Sequence, residues 1–168
     1  ISLGGMIAQG LAVKRLDLVR GLVLSNTAAR FGQPGPWQER AALVQADGIA
    51  AIEAMTLERW FGKGASGEAV DRARSLLLEA DPQGYAGCCT AIAGTDFYTP
   101  TSGLRLPTLG IAGDRDGSTP PDLVRETVGL IPGSRFELMR GSGHLPCLDA
   151  PDAFARLLRD FLAGIGHI

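Results

Sequence analysis

The stretch Ile1-Ser2-Leu3-Gly4-Gly5, running into Met6-Ile7-Ala8-Gln9-Gly10-Leu11-Ala12, decides how the rest of the chain is read. A serine set before small residues and an apolar run reads as a sharp turn that enters a helix. It matches the right-hand part of the G-x-S-x-G pattern, in which a serine sits on a strained strand-to-helix corner with its hydroxyl exposed. Gly5 supplies the closing glycine. The opening glycine and the strand before it would lie upstream of Ile1, so the stretch reads as a cut motif. Taken alone it is weak, because Ser ahead of a helix is most often an N-cap whose hydroxyl accepts a backbone N–H.

Composition narrows the setting. The 168 residues are 45% hydrophobic and 20% charged with a net charge of -2, ordinary for a single globular unit of about 100–200 residues. Nucleic-acid binding would need a clustered basic excess. No apolar run approaches the roughly 20 residues of a membrane helix, and residues 1–13 lack the basic flank of a signal peptide and carry Gln9. Cys88 and Cys89 are adjacent and Cys147 stands alone, which gives neither a zinc spacing nor a disulfide framework. Buried thiols in a cytoplasmic protein that needs no cofactor or metal are the expectation.

In chain order, a helix is expected over 6–13, with Met6, Ile7, Gly10 and Leu11 on one stripe and Gly10 allowing close approach to a sheet. The run Arg20-Gly21-Leu22-Val23-Leu24-Ser25-Asn26 reads as a strand buried on both faces, as in a parallel sheet. After a Gly/Pro-rich loop to Pro36, the next sixty or so residues change character. Helical spacing appears over 37–46, 49–61, 68–80 and 82–93, with breaks at 47–48, 62–67 and 81–82. The faces Leu43/Val44, Ile52/Met55 and Val70/Leu77/Leu78 need partners. From Leu106 the strand signal returns. Residues 107–113 form a strand, Thr119 N-caps a helix with Pro120 at its first position, residues 135–139 form a third strand, and a last amphipathic helix starts near Pro151. The fold class is therefore α/β, with residues 1–35 and 99–168 as core and residues 36–98 as an all-helical cap.

The chemistry-bearing residues fall at strand ends. Serine hydrolysis needs a hydroxyl, an imidazole to take its proton and a carboxylate to hold the imidazole, and in open α/β sheets such groups gather beyond the carboxyl ends of the strands. Ser2 precedes a helix, Asp114 and Asp116 follow the 107–113 strand, and His144 follows the 135–139 strand between closely spaced glycines. The only other histidine, His167, lies in the tail. Asp116 is preferred to Asp114, which stands where an Asx turn would close the loop.

With elbow, helical insert, Asp loop and late His in this order, the chain resembles the α/β-hydrolases. More narrowly it is similar to the 3-oxoadipate enol-lactonases of bacterial aromatic catabolism. The segments that carry this are Ser2-Leu3-Gly4-Gly5-Met6, Leu24-Ser25-Asn26-Thr27-Ala28-Ala29, Trp37 with Glu39-Arg40-Ala41, Glu58-Arg59-Trp60-Phe61, Gly84 to Ile92, Ala112-Gly113-Asp114-Arg115-Asp116 and Gly143-His144-Leu145. The resemblance implies Ser2 as nucleophile, His144 as base, Asp116 as its orienter and a small-molecule lactone substrate bearing a carboxylate. It also implies an upstream portion carrying further strands and half of the oxyanion hole, the Leu3 N–H being the other half. Trp37 and Trp60 are expected to wall the pocket or, equally, to pack the cap helices, Arg59 (or Arg40) to meet the carboxylate, and Tyr85, Cys88 and Cys89 to form cap core. A general carboxylesterase, a cofactor-free haloperoxidase-type hydrolase and a non-catalytic module of the same shape are the alternatives. The strand at 20–26 would stand at an open edge, which invites self-association.

Overall fold

The computed structural model describes residues 1–63 and 65–168. Gly64, within the break expected at 62–67, lies outside the described residues. The chain runs through α1 (Leu3–Lys14), β1 (Leu22–Ser25), α2 (Pro34–Asp47), a 3-10 turn at Ile49–Ile52, α3 (Glu53–Phe61), α4 (Glu68–Leu78), α5 (Pro82–Ala93), the short α6 (Tyr98–Ser102), β2 (Thr108–Gly113), α7 (Pro121–Gly129), β3 (Arg135–Met139), the short α8 (Pro146–Asp149) and α9 (Pro151–Gly164). The strands form one parallel sheet in the order β1-β2-β3.

Parallel neighbours cannot be joined by a tight turn, so each connection must cross over the sheet. Helix α7 makes the β2-to-β3 crossover, and the whole helical block α2–α6 lies between β1 and β2. That arrangement is a parallel α/β core carrying an all-helical insertion. Every residue of β2 is buried, as its uninterrupted apolar run requires of a strand covered on both faces.

Side-chain alternation sorts the two faces. Leu22 and Leu24 of β1 pack with Ala12 of α1 and Val128 of α7, while Leu109 and Ile111 of β2 pack with Phe161 of α9. Gly110 faces the α7 side, where a Cβ would lie 2.6 Å from a Val128 methyl, so the helix rests on the bare backbone. Within the insertion, Val44, Ile52 and Leu77 form one buried cluster, and Ala41, Ala86 and Cys89 form the seam between α2 and α5. Leu43, Met55 and Leu78 are exposed, so each expected cap face buries only part of what was assigned to it.

Helix α1 corrects the stripe read from the sequence. It buries Gly5, Met6, Gln9 and Ala12, whereas Ile7 is 64% and Leu11 48% exposed. The helix is apolar nearly all round, so periodicity could not choose the buried side. Gly5 does instead: a Cβ there would meet the Thr27 side chain at 2.5 Å, while at Gly10 it would meet the Phe97 ring at 3.1 Å. Close approach to the end of β1 is thus made at Gly5, and Gly10 admits an aromatic ring.

Ile7, Leu11, Leu16 and Leu18 are all exposed around α1, beside β1, which among the described residues pairs on one side only. Exposed apolar surface next to an unpaired strand promotes association. The 168 residues taken by themselves are therefore expected to sediment as dimers or larger species. Replacing Ile7, Leu11 and Leu18 together by lysine should shift sedimentation toward the monomer. A wild-type chain that stays monomeric at high micromolar concentration would contradict this.

Candidate active site

Ser2 occupies the N-cap of α1 but does not behave as a cap. Its side chain makes no capping hydrogen bond. Its backbone lies at φ 52°, ψ -129°, a region that costs a non-glycine residue of order 1–3 kcal/mol. The surroundings hold it there. The Ser2 N–H donates to the carbonyls of Asn26 (3.0 Å) and Ser25 (3.3 Å), and its own carbonyl accepts from Thr27 Oγ1 at 2.6 Å. A hydroxyl unspent on the helix, at a strained corner beyond the carboxyl end of β1, is the reverse of the capping alternative. Leu3 opens the helix, so its N–H has no intrahelical acceptor.

Asp116 lies in the loop after β2 and is 5% exposed; His144 lies in the loop after β3 and is 2% exposed. The Asp116 carboxylate meets His144 Nδ1 at 2.8 Å through Oδ2. The same oxygen accepts from Thr119 Oγ1 at 2.6 Å and Asn26 Nδ2 at 2.9 Å, and Oδ1 accepts the N–H groups of Ser118 (2.7 Å) and Thr119 (2.9 Å). With Oδ2 an acceptor only, Nδ1 carries the shared proton and Nε2 is left to accept one. Thr119, expected as a helix cap, spends its hydroxyl on Asp116; Pro120 takes the N-cap place and α7 starts one residue later, at Pro121.

Asp114 does not close its own turn. Its Oδ1 accepts the N–H of Gly141 at 2.7 Å, joining the β2 and β3 loops, while the local turn is closed by Asp116. Both acids therefore hold loops together, and the imidazole is what separates their roles.

Burial is the largest single influence on Asp116 and pushes its carboxyl up. The hydrogen bond and charge of His144, with the bonds from Thr119 and Asn26, together outweigh it and hold the carboxyl below its ordinary 3.8. A depressed folded-state value contributes stability above the ordinary value and loses it as pH falls through the depressed one. The protein is thus expected to lose stability progressively below pH 3.8, and Asp116→Asn should show a flatter acid limb in urea melts taken across that range.

The insertion grips this pair from above. In the last turn of α3, carbonyls without intrahelical partners accept from the core loops: Arg59 O from Gly117 N–H at 2.9 Å and Trp60 O from His144 N–H at 2.7 Å. The Trp60 ring stacks over the imidazole with centroids 6.0 Å apart. A Cβ on Gly143 would collide with the Trp60 carbonyl, so Gly143→Ala is expected to displace His144, lowering the melting temperature and any activity together.

Between insertion and core lies a cavity of about 270 Å³. Ser2, Leu3 and His144 line its floor, and Trp37, Trp60 and Arg59 line its walls. A neighbouring cavity of about 490 Å³ shares Trp37, Arg40 and Arg59. Every residue singled out in the sequence as touching substrate therefore borders one space. Trp37 is fixed by its indole N–H on Phe31 O at 2.7 Å. Tyr85, Cys88 and Cys89, expected as cap core, also reach the cavity, so that reading holds only in part: Cys89 is buried and Cys88 exposed. Arg40 donates to Tyr85 Oη from Nε (2.9 Å) and Nη2 (2.8 Å) and also to Thr56 Oγ1. Among the described residues it has no carboxylate partner within 4.0 Å. Burial pushes the Tyr85 phenol up against the opposing Arg40 charge, which keeps its hydroxyl a donor. Among the described residues no three His, Cys, Asp or Glu side chains gather as metal ligands would.

Asn26, Thr119 and Thr56 escape the sequence reading, because their roles depend on which loops meet. The only local hint was Asn26 itself, a polar residue closing an apolar run.

A parallel sheet with an all-helical insertion and a buried His–Asp pair at the strand ends defines a class. The chain belongs to the alpha/beta hydrolase family, whose sequence pattern it matches over residues 1–157. Within that family it is similar to 3-oxoadipate enol-lactonase 2 of Acinetobacter baylyi, with 32% identity over 157 residues covering 92% of this chain and 58% of that protein. Among solved structures, the enol-lactonase from Burkholderia xenovorans LB400 superposes with a TM-score of 0.91 at 31% identity, covering 97% of this chain and 64% of that one. A thermophilic esterase from Thermogutta terrifontis superposes with a TM-score of 0.89 at 27% identity, covering 98% and 63%. The chain thus spans about three fifths of the length of these relatives. No helix among the described residues is long and apolar enough to cross a membrane.

Proposed function

We propose that the protein is a serine hydrolase of carboxylic esters whose substrate is an enol-lactone, 3-oxoadipate enol-lactone in the first instance, opened through an acyl-enzyme in a cytoplasmic route of aromatic catabolism. The observation that carries this is the buried Asp116–His144 pair facing the cavity that Ser2 borders. Family membership supports ester or lactone hydrolysis, and similarity to two enol-lactonases supports the lactone.

In this reading Ser2 Oγ attacks the lactone carbonyl carbon while its proton passes to His144 Nε2. The Leu3 N–H receives the developing oxyanion, a donor whose loss typically costs about 10²–10³ in rate. The acyl C–O bond then breaks, the ring oxygen leaves with the proton held by His144, and the enol tautomerises to the ketone. Water, deprotonated by His144, releases the acid and restores Ser2. Asp116 keeps the imidazole in the required tautomer throughout. The walls of Trp37 and Trp60 suit a flat unsaturated ring, and Arg59 or Arg40 meets its carboxylate.

The test is labelling by a fluorophosphonate with peptide mapping, followed by a comparison of 3-oxoadipate enol-lactone with p-nitrophenyl acetate. A Ser2 adduct and a kcat/KM strongly favouring the lactone support the proposal. An adduct with the reverse preference makes the protein a general esterase, the reading favoured by its likeness to the Thermogutta esterase. No adduct at Ser2 makes it a binding module.

A further inference from the structure

Asn26, at the carboxyl end of β1, has no part in the mechanism above, yet it touches all three loops that supply the mechanism. Its backbone is left-handed at φ 46°, a conformation that Asn accepts more readily than most side chains. The residue is fully buried. Its backbone carbonyl accepts the Ser2 N–H at 3.0 Å and its own N–H donates to Ile111 O at 2.8 Å. Its side-chain Nδ2 donates to Asp116 Oδ2 at 2.9 Å and to the Gly143 carbonyl, next to His144, at 3.0 Å. Oδ1 accepts from Ser25 Oγ at 2.8 Å. A reversed amide would face an oxygen against a carboxylate and a carbonyl, so the network fixes which end is nitrogen.

We propose that Asn26 is the positioning residue of the site, its carboxamide tying the Asp116 and His144 loops together while its backbone carbonyl ties them to Ser2. Four of the five groups bonded to the Asp116 carboxylate explain why it is needed. Ser118 N–H, Thr119 N–H and Thr119 Oγ1 belong to the same loop as Asp116 and orient it only within that loop. His144 is itself the group to be held, so its bond to Asp116 cannot also fix where the Asp116 loop sits. Asn26 is the remaining donor, from a different strand and with a charge state that does not change.

This rests on the hydrolase reading above, and the test separates the two. Asn26→Gly removes the carboxamide while keeping the left-handed backbone and its carbonyl at no steric cost. Asn26→Asp keeps the shape and sets a second carboxyl group against Asp116, and two buried carboxyls this close share one proton. Loosening the Asp116 loop against the His144 loop misplaces the imidazole, so Asn26→Gly should lose roughly tenfold to hundredfold in kcat with little change in KM, since Asn26 does not border the cavity. In Asn26→Asp the shared proton keeps a single donor to Asp116, so its kcat should lie between those of Asn26→Gly and wild type and fall at high pH as that proton is lost. Asp114, on the Gly141 N–H, and Asp149, on the Gly143 N–H, face these loops, are the same in every variant and cancel in the comparison.

If wild type forms no phosphonate adduct at Ser2, the hydrolase reading fails. If wild type is labelled but both variants keep its kcat and pH profile, the Asn26 proposal alone fails. An Asn26→Asp variant with a kcat no higher than that of Asn26→Gly and the wild-type pH profile also overturns it, because that is what a scaffold defect gives. Should neither variant fold, Ser25→Ala decides: it removes only the hydroxyl that holds the amide, and a severalfold fall in kcat supports the proposal while unchanged kcat overturns it.

Discussion

Ser2→Ala is expected to lower turnover by about 10⁴- to 10⁶-fold, the loss seen when the nucleophile of a serine hydrolase is removed, and to do so without lowering the melting temperature. The second half of the expectation is the more discriminating. A serine that capped α1 would cost about 1 kcal/mol on replacement by alanine. Ser2 makes no such bond, so the helix loses nothing. Ser2→Gly goes further. At φ 52° glycine relieves a strain that alanine keeps, and this variant should melt above wild type while remaining inactive. Loss of activity accompanied by a lower melting temperature in both variants would mean that Ser2 is a structural cap after all.

Asp116→Asn is expected to lower kcat by about 10⁴-fold, although it changes one oxygen to nitrogen. The surroundings dictate how an amide would sit. The position now accepts from two backbone N–H groups at one oxygen, and from Asn26 and Thr119 at the other. The amide oxygen must keep the two backbone donors, which turns the new NH₂ toward His144 Nδ1. The imidazole then accepts at Nδ1, carries its proton on Nε2, and can no longer take one from Ser2. KM should change little, because Asp116 does not border the cavity. Steady-state kinetics would show it, and a kcat within tenfold of wild type would remove Asp116 from the mechanism.

The sheet was legible because its signals are local. Residues 108–113 form an apolar run that only a doubly covered strand accommodates, and Asp116 and His144 follow strands by a few residues. What could not be read depended on contacts between distant segments. The side of α1 that faces inward is chosen by Gly5 against Thr27, not by a hydrophobic stripe. Helical spacing over 49–61 hides a 3-10 turn at Ile49–Ile52 before α3. The single-turn helices α6 and α8 are too short to show a period. Thr119 looks like a cap from its Pro neighbours, but the nearby carboxylate is a stronger acceptor. The hold of the Trp60 carbonyl on His144 leaves no trace in the sequence, because any residue could supply it.

That last contact bears on how the insertion could be exchanged. The end of α3 is welded to the loops of Asp116 and His144 through main-chain atoms, at Gly117 and at His144, so it cannot act as a hinge without tilting the imidazole. Under the proposed function, a substrate would have to enter elsewhere in the helical block. A chimaera that grafts the helices of another hydrolase onto this sheet would have to carry over the joint at residues 59–61 with its geometry intact; side chains at that joint are negotiable, but the path of the backbone is not.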